Sequence, residues 1–355
     1  MLLSDFDYNL PKSAIADFPP AIRGTSRLLV LNRTTDKIRH RNYADIVDYL
    51  DAGDVLVLND TKVIKARLIA KDKNHNDIEI FLLEKHNDDF PTNGGNSDFV
   101  IPTDGGTTLV LHRGTLHVGD ILHINTVQLE VLENIGNGIL NIKSSADLDQ
   151  LADTQGQVPL PPYIHRDTVP EDEFRYQTVF AKHRGSVAAP TASLNMTPEL
   201  LKKIEAKGIK ICYLTLHVGL GTFLPIRTDD LTQHQMHSEY FIIPEATISA
   251  IQTAKQTNHS VIALGTTVTR ALEFAHDAVL NQSPQNISDE ANIFIYPGYQ
   301  FKVIDKLITN FHAPKSTVLM LTSAFAGWDK LKPAYESAIH ENYHLLSYGD
   351  SMIIF

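Results

Sequence analysis

The sequence has almost no cysteine. Cys212 is the one cysteine among 355 residues, and it lies inside the apolar run from 209 to 214. A single thiol forms neither an internal disulfide nor a thiolate metal site, and a free cysteine in apolar surroundings is normally buried and inert. A disulfide-stapled extracellular fold is therefore excluded.

Motifs that bind metals through histidine are missing as well. His234 and His237 are three residues apart and Glu239 follows them, but no H-E-x-x-H sequence occurs. We therefore predict no metal. If the segment is extended, His237 and Glu239 share one face and suit an acid–base or hydroxyl-binding pair; a hydrogen-bonded surface loop is the alternative.

Long apolar runs are absent. No uninterrupted run approaches the ~20 residues that a membrane span requires, and the N-terminus has no basic region followed by an apolar one. The composition, 43% hydrophobic and 21% charged, is typical of a globular protein with one large core or two domains. We predict a cytoplasmic enzyme that does not contact the membrane and has no obligate protein partner.

Positive charge is scarce overall. The formal net charge of −11 argues against non-specific binding of polyanions, which requires clustered lysine and arginine. A local patch is still possible where cations alternate with aromatic and amide groups suited to phosphates and unstacked bases. Its members are His165, Arg166, Arg175, Tyr176, Gln177, Lys182, His183 and Arg184, diluted by Glu171, Asp172 and Glu173.

The two common nucleotide-binding loops are also missing. The sequence contains no G-x-x-x-x-G-K-[ST], and no G-x-G-x-x-G follows a predicted strand. Neither a P-loop NTPase nor a Rossmann dinucleotide enzyme is supported.

The order of hydrophobic patterns predicts an α/β protein with a β insert. Strands are predicted at 26–31 and 54–60 with a short helix at 43–50 between them, whereas 66–143 contains only short β-type runs separated by Asn, Gly and Asp turns. We predict an α/β main domain over 1–65 and 150–355 and a small barrel-like all-β domain over 66–149, with a flexible loop at 87–97. In the second half we predict a helix at 268–278, a polar loop at 281–290 and a regular element at 293–296.

One segment near the C-terminus concentrates polar groups directly before a helix. Asn310, His312 and Lys315 precede Ser316 and Thr317, which can cap the helix that begins there. Free backbone N–H groups and these side chains converge at a helix N-terminus, so we predict that an anionic or polar ligand binds there.

Other predicted strands also end in polar or glycine-rich segments, which is where α/β proteins collect ligand groups. Each alone is equally explained as a turn with a helix cap. The segments are Asn59-Asp60-Thr61, the run from His217 through Gly219 and Gly221 to Thr222, and Gly265-Thr266-Thr267. Two further candidates are the stiff proline-rich run at 158–164, which presents Tyr163, and Ser347-Tyr348-Gly349-Asp350, which is either a turn or the binding site of a cationic ligand.

Together these segments resemble the S-adenosylmethionine:tRNA ribosyltransferase-isomerase family of queuosine biosynthesis. The matches are ordered along nearly the whole chain. They comprise Phe6-Asp7-Tyr8, Ser26-Arg27-Leu28-Leu29-Val30, Leu58-Asn59-Asp60-Thr61, Val158-Pro159-Leu160-Pro161-Pro162-Tyr163-Ile164, Arg175-Tyr176-Gln177-Thr178-Val179, Ala188-Ala189-Pro190-Thr191-Ala192, the segment 215–223, His237-Ser238-Glu239, Gly265-Thr266-Thr267, the segment 309–317 and Ser347-Tyr348-Gly349-Asp350.

The resemblance implies an α/β domain with an inserted β-barrel and a transferase reaction. The ribosyl part of S-adenosylmethionine, a co-substrate, is transferred to 7-aminomethyl-7-deazaguanine at the wobble position of a tRNA with a GUN anticodon. Adenine and methionine leave and epoxyqueuosine forms. Such chemistry needs a base beside the sulfonium, a proton donor for adenine and polar groups on the ribose hydroxyls.

The resemblance also suggests which residues form the site. The acid–base candidates are His217, Glu239, His312 and Asp350. The substrate-binding candidates are Asn59, Asp60, Thr61, Tyr163, Arg166, Tyr176, Gln177, Pro190, Thr191, Gly219, Gly221, Thr222, His237, Thr266, Thr267, Asn310, Lys315, Ser316 and Tyr348.

The sequence departs from the family pattern at several positions. Ser193, Asn195 and Met196 replace the usual Gly, His and Phe, and Asn195 cannot exchange protons near neutral pH. His344 and Leu345-Leu346 stand where an arginine and an aromatic pair are usual. The alternatives are therefore a divergent paralogue acting on another S-adenosylmethionine or nucleoside substrate and a non-catalytic RNA-binding relative.

Overall fold

A computed structural model describes residues 1–83, 106–136, 138–219, 226 and 228–355. The loop predicted at 87–97 and the candidates Gly221 and Thr222 lie outside these residues. The strands are β1 (Arg27–Asn32), β2 (Lys37–Asn42), β3 (Val55–Asn59), β4 (Thr61–Val63), β5 (Arg67–Lys71), β6 (Asp77–Leu82), β7 (Thr107–Arg113), β8 (Ile121–Ile124), β9 (Val127–Gly136), β10 (Ile139–Ser144), β11 (His183–Ser186), β12 (Lys210–Leu216), β13 (Glu239–Ile243), β14 (Val261–Leu264), β15 (Ile287–Ala291), β16 (Lys306–Asn310) and β17 (Ser351–Ile354).

The helices lie mainly in the second half of the chain. The α-helices are α1 (Leu148–Gln155), α2 (Asp172–Arg175), α3 (Pro198–Ala206), α4 (Glu245–Gln256), α5 (Thr266–Phe274), α6 (His276–Asn281), α7 (Thr317–Ala326) and α8 (Trp328–His340). Short 3₁₀ helices lie at Leu3–Asp5, Lys12–Ala14, Tyr43–Tyr49, Thr191–Ser193 and Leu231–Gln233. Within the described ranges, no helix combines the length and the apolar composition that a bilayer crossing requires.

A nine-stranded mixed sheet, in the order β15-β13-β12-β3-β14-β16-β17-β1-β2, forms the centre of the main domain. Inner strands such as β3, β13, β14 and β17 are buried on both faces, so they appear in the sequence as nearly continuous apolar runs. Alternate residues enter different cores: Val55 and Val57 pack with the helices α4, α5, α7 and α8, whereas Leu56 and Leu58 pack with α3 and the 3₁₀ helix Tyr43–Tyr49. Two apolar cores therefore hold the sheet between helical layers.

The inserted domain is a closed barrel in the strand order β10-β7-β6-β5-β8-β9. Inward-facing aliphatic residues such as Leu68, Ile80 and Leu122 fill it completely, as expected for a barrel of this size. Helix α1 adds Leu148 and Leu151 to the same core. A two-stranded parallel sheet pairs β4, which lies between β3 and the first barrel strand, with β11, which follows the barrel in the chain. The predicted fold class, an α/β domain with a barrel-like insert, is confirmed.

Three sequence predictions were wrong in detail. The polar run predicted as a loop contains β15, an edge strand whose exposed Ser288, Asp289 and Glu290 give no apolar alternation. Residues 293–296 lie outside regular structure, although Ile295 is buried in the core. The helix predicted at 268–278 is two helices, α5 and α6, because the chain leaves helical geometry at Ala275.

Candidate active site

The central strands of the large sheet bring several predicted segments to one edge. β12, β3, β14 and β16 are mutually parallel, so their carboxyl ends lie on the same side. Asn59 ends β3, His217 follows β12, Gly265 follows β14 and Asn310 ends β16. Because ligands of open α/β sheets bind outside the carboxyl ends of the strands, this edge is the expected place for a site.

A cavity of about 440 Å³ opens at this edge. Its volume is within the ~300–1,000 Å³ that is usual for small-molecule sites. Candidates from several distant parts of the chain line it together: Tyr163, Tyr176, Pro190, Thr191, Thr266, Thr267, Asn310, His312, Lys315 and Ser316. Apolar groups that the sequence did not single out, including Ala188, Val218, Ile226 and Val318, complete its walls.

Two helix N-termini contribute to the cavity wall. Helix α5 begins after Gly265, whose φ of 101° is a conformation that other residues adopt at a cost, and Gly265, Thr266 and Thr267 line the cavity. Helix α7 begins after Ser316, whose Oγ accepts a hydrogen bond from Leu319 N at 3.2 Å, the predicted cap. These termini place uncompensated N–H groups and partial positive charge beside the cavity.

His312 is held in place on several sides. Its Nε2 lies 2.9 Å from Thr309 Oγ1, and its backbone N–H donates to the Tyr335 hydroxyl at 2.9 Å. The Tyr8 hydroxyl donates to the His312 carbonyl at 2.5 Å. Burial lowers the pKa of His312 to about 3, because desolvation penalises the imidazolium. The ring is therefore neutral at physiological pH, the form that a general base needs, while the same burial makes it a weaker base than a solvent-exposed imidazole.

Tyrosines form an aromatic wall opposite this segment. The Tyr163 hydroxyl lies 2.6 Å from Ser347 Oγ, and burial raises the pKa of Tyr163 to about 12. The Tyr176 ring packs edge-on against Tyr348. Tyr348 donates to Asp172 and is one layer behind the cavity.

Arg166 lies in a second cleft rather than in the cavity. Its guanidinium makes a bidentate ion pair with Asp172, at 2.7 Å on both nitrogens. The second cleft, about 400 Å³, lies between the barrel and the proline-rich run and shares Pro162 with the cavity. The side chain of Gln177 is also engaged within the protein, because its amide makes two hydrogen bonds with the backbone of Val63.

His217 lies behind the cavity wall. Adjacent side chains of an extended segment point in opposite directions, and it is Val218 that lines the cavity among the described residues. His217 Nδ1 lies 2.7 Å from Thr61 Oγ1, and Thr215 donates to Asp60 Oδ1 at 2.6 Å. Burial raises the pKa of Asp60. Asn59 anchors this cluster by bonding the backbone of Leu216 through both its amide atoms.

Glu239 forms a buried ion pair that sequence reasoning missed. Arg270 Nη1 donates to Glu239 Oε2, and both side chains are almost fully buried. Glu239 Oε1 also lies 3.5 Å from His237 Nε2 and accepts from Gly219 N at 3.3 Å. Arg270 lies in a helix whose buried residues include Val268, Ala271 and Leu272, and its partner is 31 positions away in the sequence.

Asp350 and Asn195 connect strand ends. Asp350 accepts hydrogen bonds from Arg27 N at 2.6 Å and His344 N at 2.8 Å, and burial raises its pKa. Asn195 accepts from Ser26 Oγ and donates to Gly349 O and Ser351 Oγ. In the described structure neither lines the 440 Å³ cavity. The amide of Asn195, which replaces the family's usual imidazole, therefore connects β1 and β17 through hydrogen bonds.

No group of three or more His, Cys, Asp or Glu side chains placed to hold a metal occurs within the described ranges. The fold and the cavity define the class: an α/β protein with an inserted barrel and a small-molecule site at the carboxyl edge of its sheet. The family model for queuosine biosynthesis proteins matches residues 3–354, and the chain belongs to that family. The resemblance inferred from the motifs is confirmed.

Relatives at high identity extend over the full length. Proteins named S-adenosylmethionine:tRNA ribosyltransferase-isomerase from Chlorobium phaeobacteroides and Chlorobaculum parvum are each 50% identical to the chain, with all of both chains covered. A crystal structure titled S-adenosylmethionine tRNA ribosyltransferase, from Thermotoga maritima, is 31% identical, covers 99% of this chain and all of that chain, and gives a TM-score of 0.55. Full-length similarity at this level makes the chain an enzyme of the same kind.

Proposed function

We propose that this enzyme transfers and isomerises the ribosyl moiety of S-adenosylmethionine onto 7-aminomethyl-7-deazaguanine at the wobble position of a GUN-anticodon tRNA. The products are epoxyqueuosine in the tRNA, free adenine and free methionine. S-adenosylmethionine is a co-substrate, no metal takes part, and the reaction takes place in the cytoplasm.

One observation carries this proposal. Segments that are distant in the sequence, matched to a family whose relatives bear this name, line one cavity of small-molecule size. The cavity combines an aromatic wall, two helix N-termini and a neutral imidazole. A nucleoside with an amino-acid tail needs these groups: rings for the base, donors for the hydroxyls, and an electropositive end for the carboxylate.

Within the cavity we assign binding roles by chemistry. Asn310, Thr266 and Thr267 offer amide and hydroxyl groups for the ribose. The N-terminus of α7 suits the carboxylate of the methionyl part, because Ser316 caps this helix beside the cavity and the first N–H groups carry partial positive charge. Lys315 adjoins it and is paired with Asp7 at 2.6 Å, so a ligand carboxylate would share this cation with Asp7. Tyr163 and Tyr176 are the stacking candidates.

His312 is our candidate for the base that removes the proton beside the sulfonium. Its ring lines the cavity and is neutral, which a general base requires. His217, Glu239 and Asp350 remain candidates for proton transfer. Among the described residues that line the cavity none of these three occurs, and each is bonded to protein groups, which favours positioning roles for them.

The test is single-turnover release of adenine, with nucleoside mass spectrometry of the tRNA. We expect the wild type to release adenine and form epoxyqueuosine only when S-adenosylmethionine meets tRNA that carries the aminomethyl-deazaguanine. We expect His312→Asn to slow adenine release by about 10²–10⁴-fold, the range of general-base catalysis. His340→Asn is the matched control, since His340 is 86% exposed on the last turn of α8.

Three results would contradict the proposal. Adenine release without precursor tRNA would favour a paralogue with another substrate. Binding of tRNA without turnover would favour a non-catalytic relative. Wild-type rates in His312→Asn would remove the assigned base.

A further inference from the structure

The basic patch predicted from the sequence is much smaller in the structure. Arg166 is paired with Asp172, and Arg175 is directed into the protein, where it donates to the carbonyls of Pro20 and Ala21. His183 lies beside Asp60, with 3.6 Å between its Nε2 and the carboxylate. Lys182 and Arg184 remain exposed.

The small sheet β4–β11 adds a third exposed cation to these two. In the register of the parallel pair, Arg184 lies directly opposite Lys62, and His183 lies opposite Thr61. Because successive side chains alternate, Thr61 and His183 face the interior, while Lys62 and Arg184 share the outward face. Lys182 directly precedes β11, so the exposed cations here are Lys62, Lys182 and Arg184. We call these three residues the outer cation face.

Two of these cations form an unfavourable pair. Like charges directly opposite each other on neighbouring strands destabilise a sheet. Arg184 is partly compensated by Asp153, at 2.5 Å, and Lys182 is attracted to the buried Asp60 carboxylate. Within the part of the chain that the structure describes, Lys62 and Lys182 have no ion pair within 4 Å. An anion at this face would relieve the repulsion.

The outer cation face is close to the cavity. From Lys182 the chain runs through β11 to Ala188, Ala189 and Pro190, which line the cavity. At ~3.3 Å per residue, the six steps from Lys182 to Ala188 span at most about 20 Å. An RNA strand covers this distance with a few nucleotides.

We propose that the outer cation face binds backbone phosphates of the tRNA strand beside the nucleotide that enters the cavity. This inference rests on the proposed function. Charge complementarity selects the occupant: three exposed cations, of which Arg184 is paired with Asp153, match a polyanion, although the whole chain carries −11. The contacts are to phosphates, so they position the RNA and carry no sequence preference.

The chain contains a matched control. Edge strand β2 carries Lys37, Arg39 and Arg41 at alternate positions, all exposed. They lie opposite Asn32, Val30 and Leu28 of β1, so no like charges face each other there. Cations on an edge strand are sufficiently explained as protection against edge-to-edge pairing.

The experiment measures the affinity for precursor tRNA as a function of salt. We compare the wild type, Lys62→Gln/Lys182→Gln/Arg184→Gln and Lys37→Gln/Arg39→Gln/Arg41→Gln, which lose equal charge. For the first triple variant we expect affinity to fall at least about tenfold and the slope of log affinity against log salt to become shallower by roughly 2, since each phosphate contact contributes roughly 0.7–0.9. The β2 variant should match the wild type in its affinity for precursor tRNA and in the salt slope.

Two further measurements distinguish a loss of RNA docking from a loss of stability and from a failure of the proposed function. At saturating tRNA the rate of adenine release should stay within about twofold of wild type, and the Tm without RNA should be equal or higher because a repulsive pair is removed. Equal losses in both triple variants, or an unchanged slope in the first, would overturn the docking inference. If the first triple variant is unfolded, Lys182→Gln alone is measured with the expectation of a slope change near 1. Wild-type turnover, measured separately, decides the proposed function.

Discussion

At the scale of single residues, His312 links stability to pH. Its pKa falls from 6.5 to about 3 on burial, so between these values the unfolded chain binds a proton that the folded chain does not. The free energy of unfolding therefore decreases as the pH falls through this window. The asparagine variant lacks this contribution.

We predict that the free energy of unfolding of His312→Asn, relative to wild type, rises steadily as the pH is lowered from about 7 to about 4. Urea unfolding at several pH values measures it. His340→Asn, which removes a histidine that is 86% exposed, is the matched control. A curve for His312→Asn that runs parallel to the wild-type curve would contradict this prediction.

Single residues also show what could and could not be foreseen. Ser316 was found from its position before an apolar helix, because capping is a local rule. The partner of Glu239 was not found, because Arg270 meets it only through the packing of α5 against the end of β13. The sequence showed only that Asn195 cannot exchange protons as the usual histidine could. The structure shows that its hydrogen bonds connect the chain at β1 to β17.

At the scale of elements, the N-terminal segment holds the cavity loop. Phe6 O accepts from Lys315 N at 3.1 Å, Asp7 pairs with Lys315 Nζ at 2.6 Å, and Tyr8 bonds to the His312 carbonyl. Lys315 itself has a φ of 58°, so this loop needs outside support. The motif Phe6-Asp7-Tyr8 thus serves to position the loop before α7.

We predict that Tyr8→Phe lowers the free energy of unfolding by about 0.5–1.5 kcal/mol, the usual net value of one hydrogen bond. Because the loop carries His312, adenine release should also slow by about tenfold, since small displacements of catalytic groups are costly. Single-turnover assays measure the rate of adenine release, and urea unfolding measures the free energy of unfolding.

Tyr49→Phe is the matched control for this element. Tyr49 lies against Phe355 on the opposite face of the sheet, and its hydroxyl has no hydrogen-bond partner among the described residues. It should lose neither activity nor stability. A Tyr8→Phe enzyme with full activity would show that the N-terminal segment does not position the loop.

Elements were predictable where periodicity was strong. The buried central strands and helix α3 follow directly from apolar runs and caps. The edge strands β2 and β15 are rich in exposed polar residues, alternating in β2 and consecutive in β15, so pattern alone does not distinguish them from loops. The sheet order, which brings β3, β12, β14 and β16 together, is a property of long-range pairing that no local pattern contains.

At the scale of the whole molecule, the 440 Å³ cavity is the proposed binding site of S-adenosylmethionine. The parallel strands deliver polar loops to one edge, and the outer cation face lies within reach for RNA. The second cleft, lined by Arg67, Arg113 and Arg166, is a competing location of similar volume.

The most direct measurement is a crystal structure of the enzyme with S-adenosylmethionine. We predict that the nucleoside lies between Tyr163 and Asn310, with its sulfonium beside His312 and its carboxylate at the N-terminus of α7. A ligand bound in the second cleft, with the cavity empty, would show that the cavity does not bind S-adenosylmethionine.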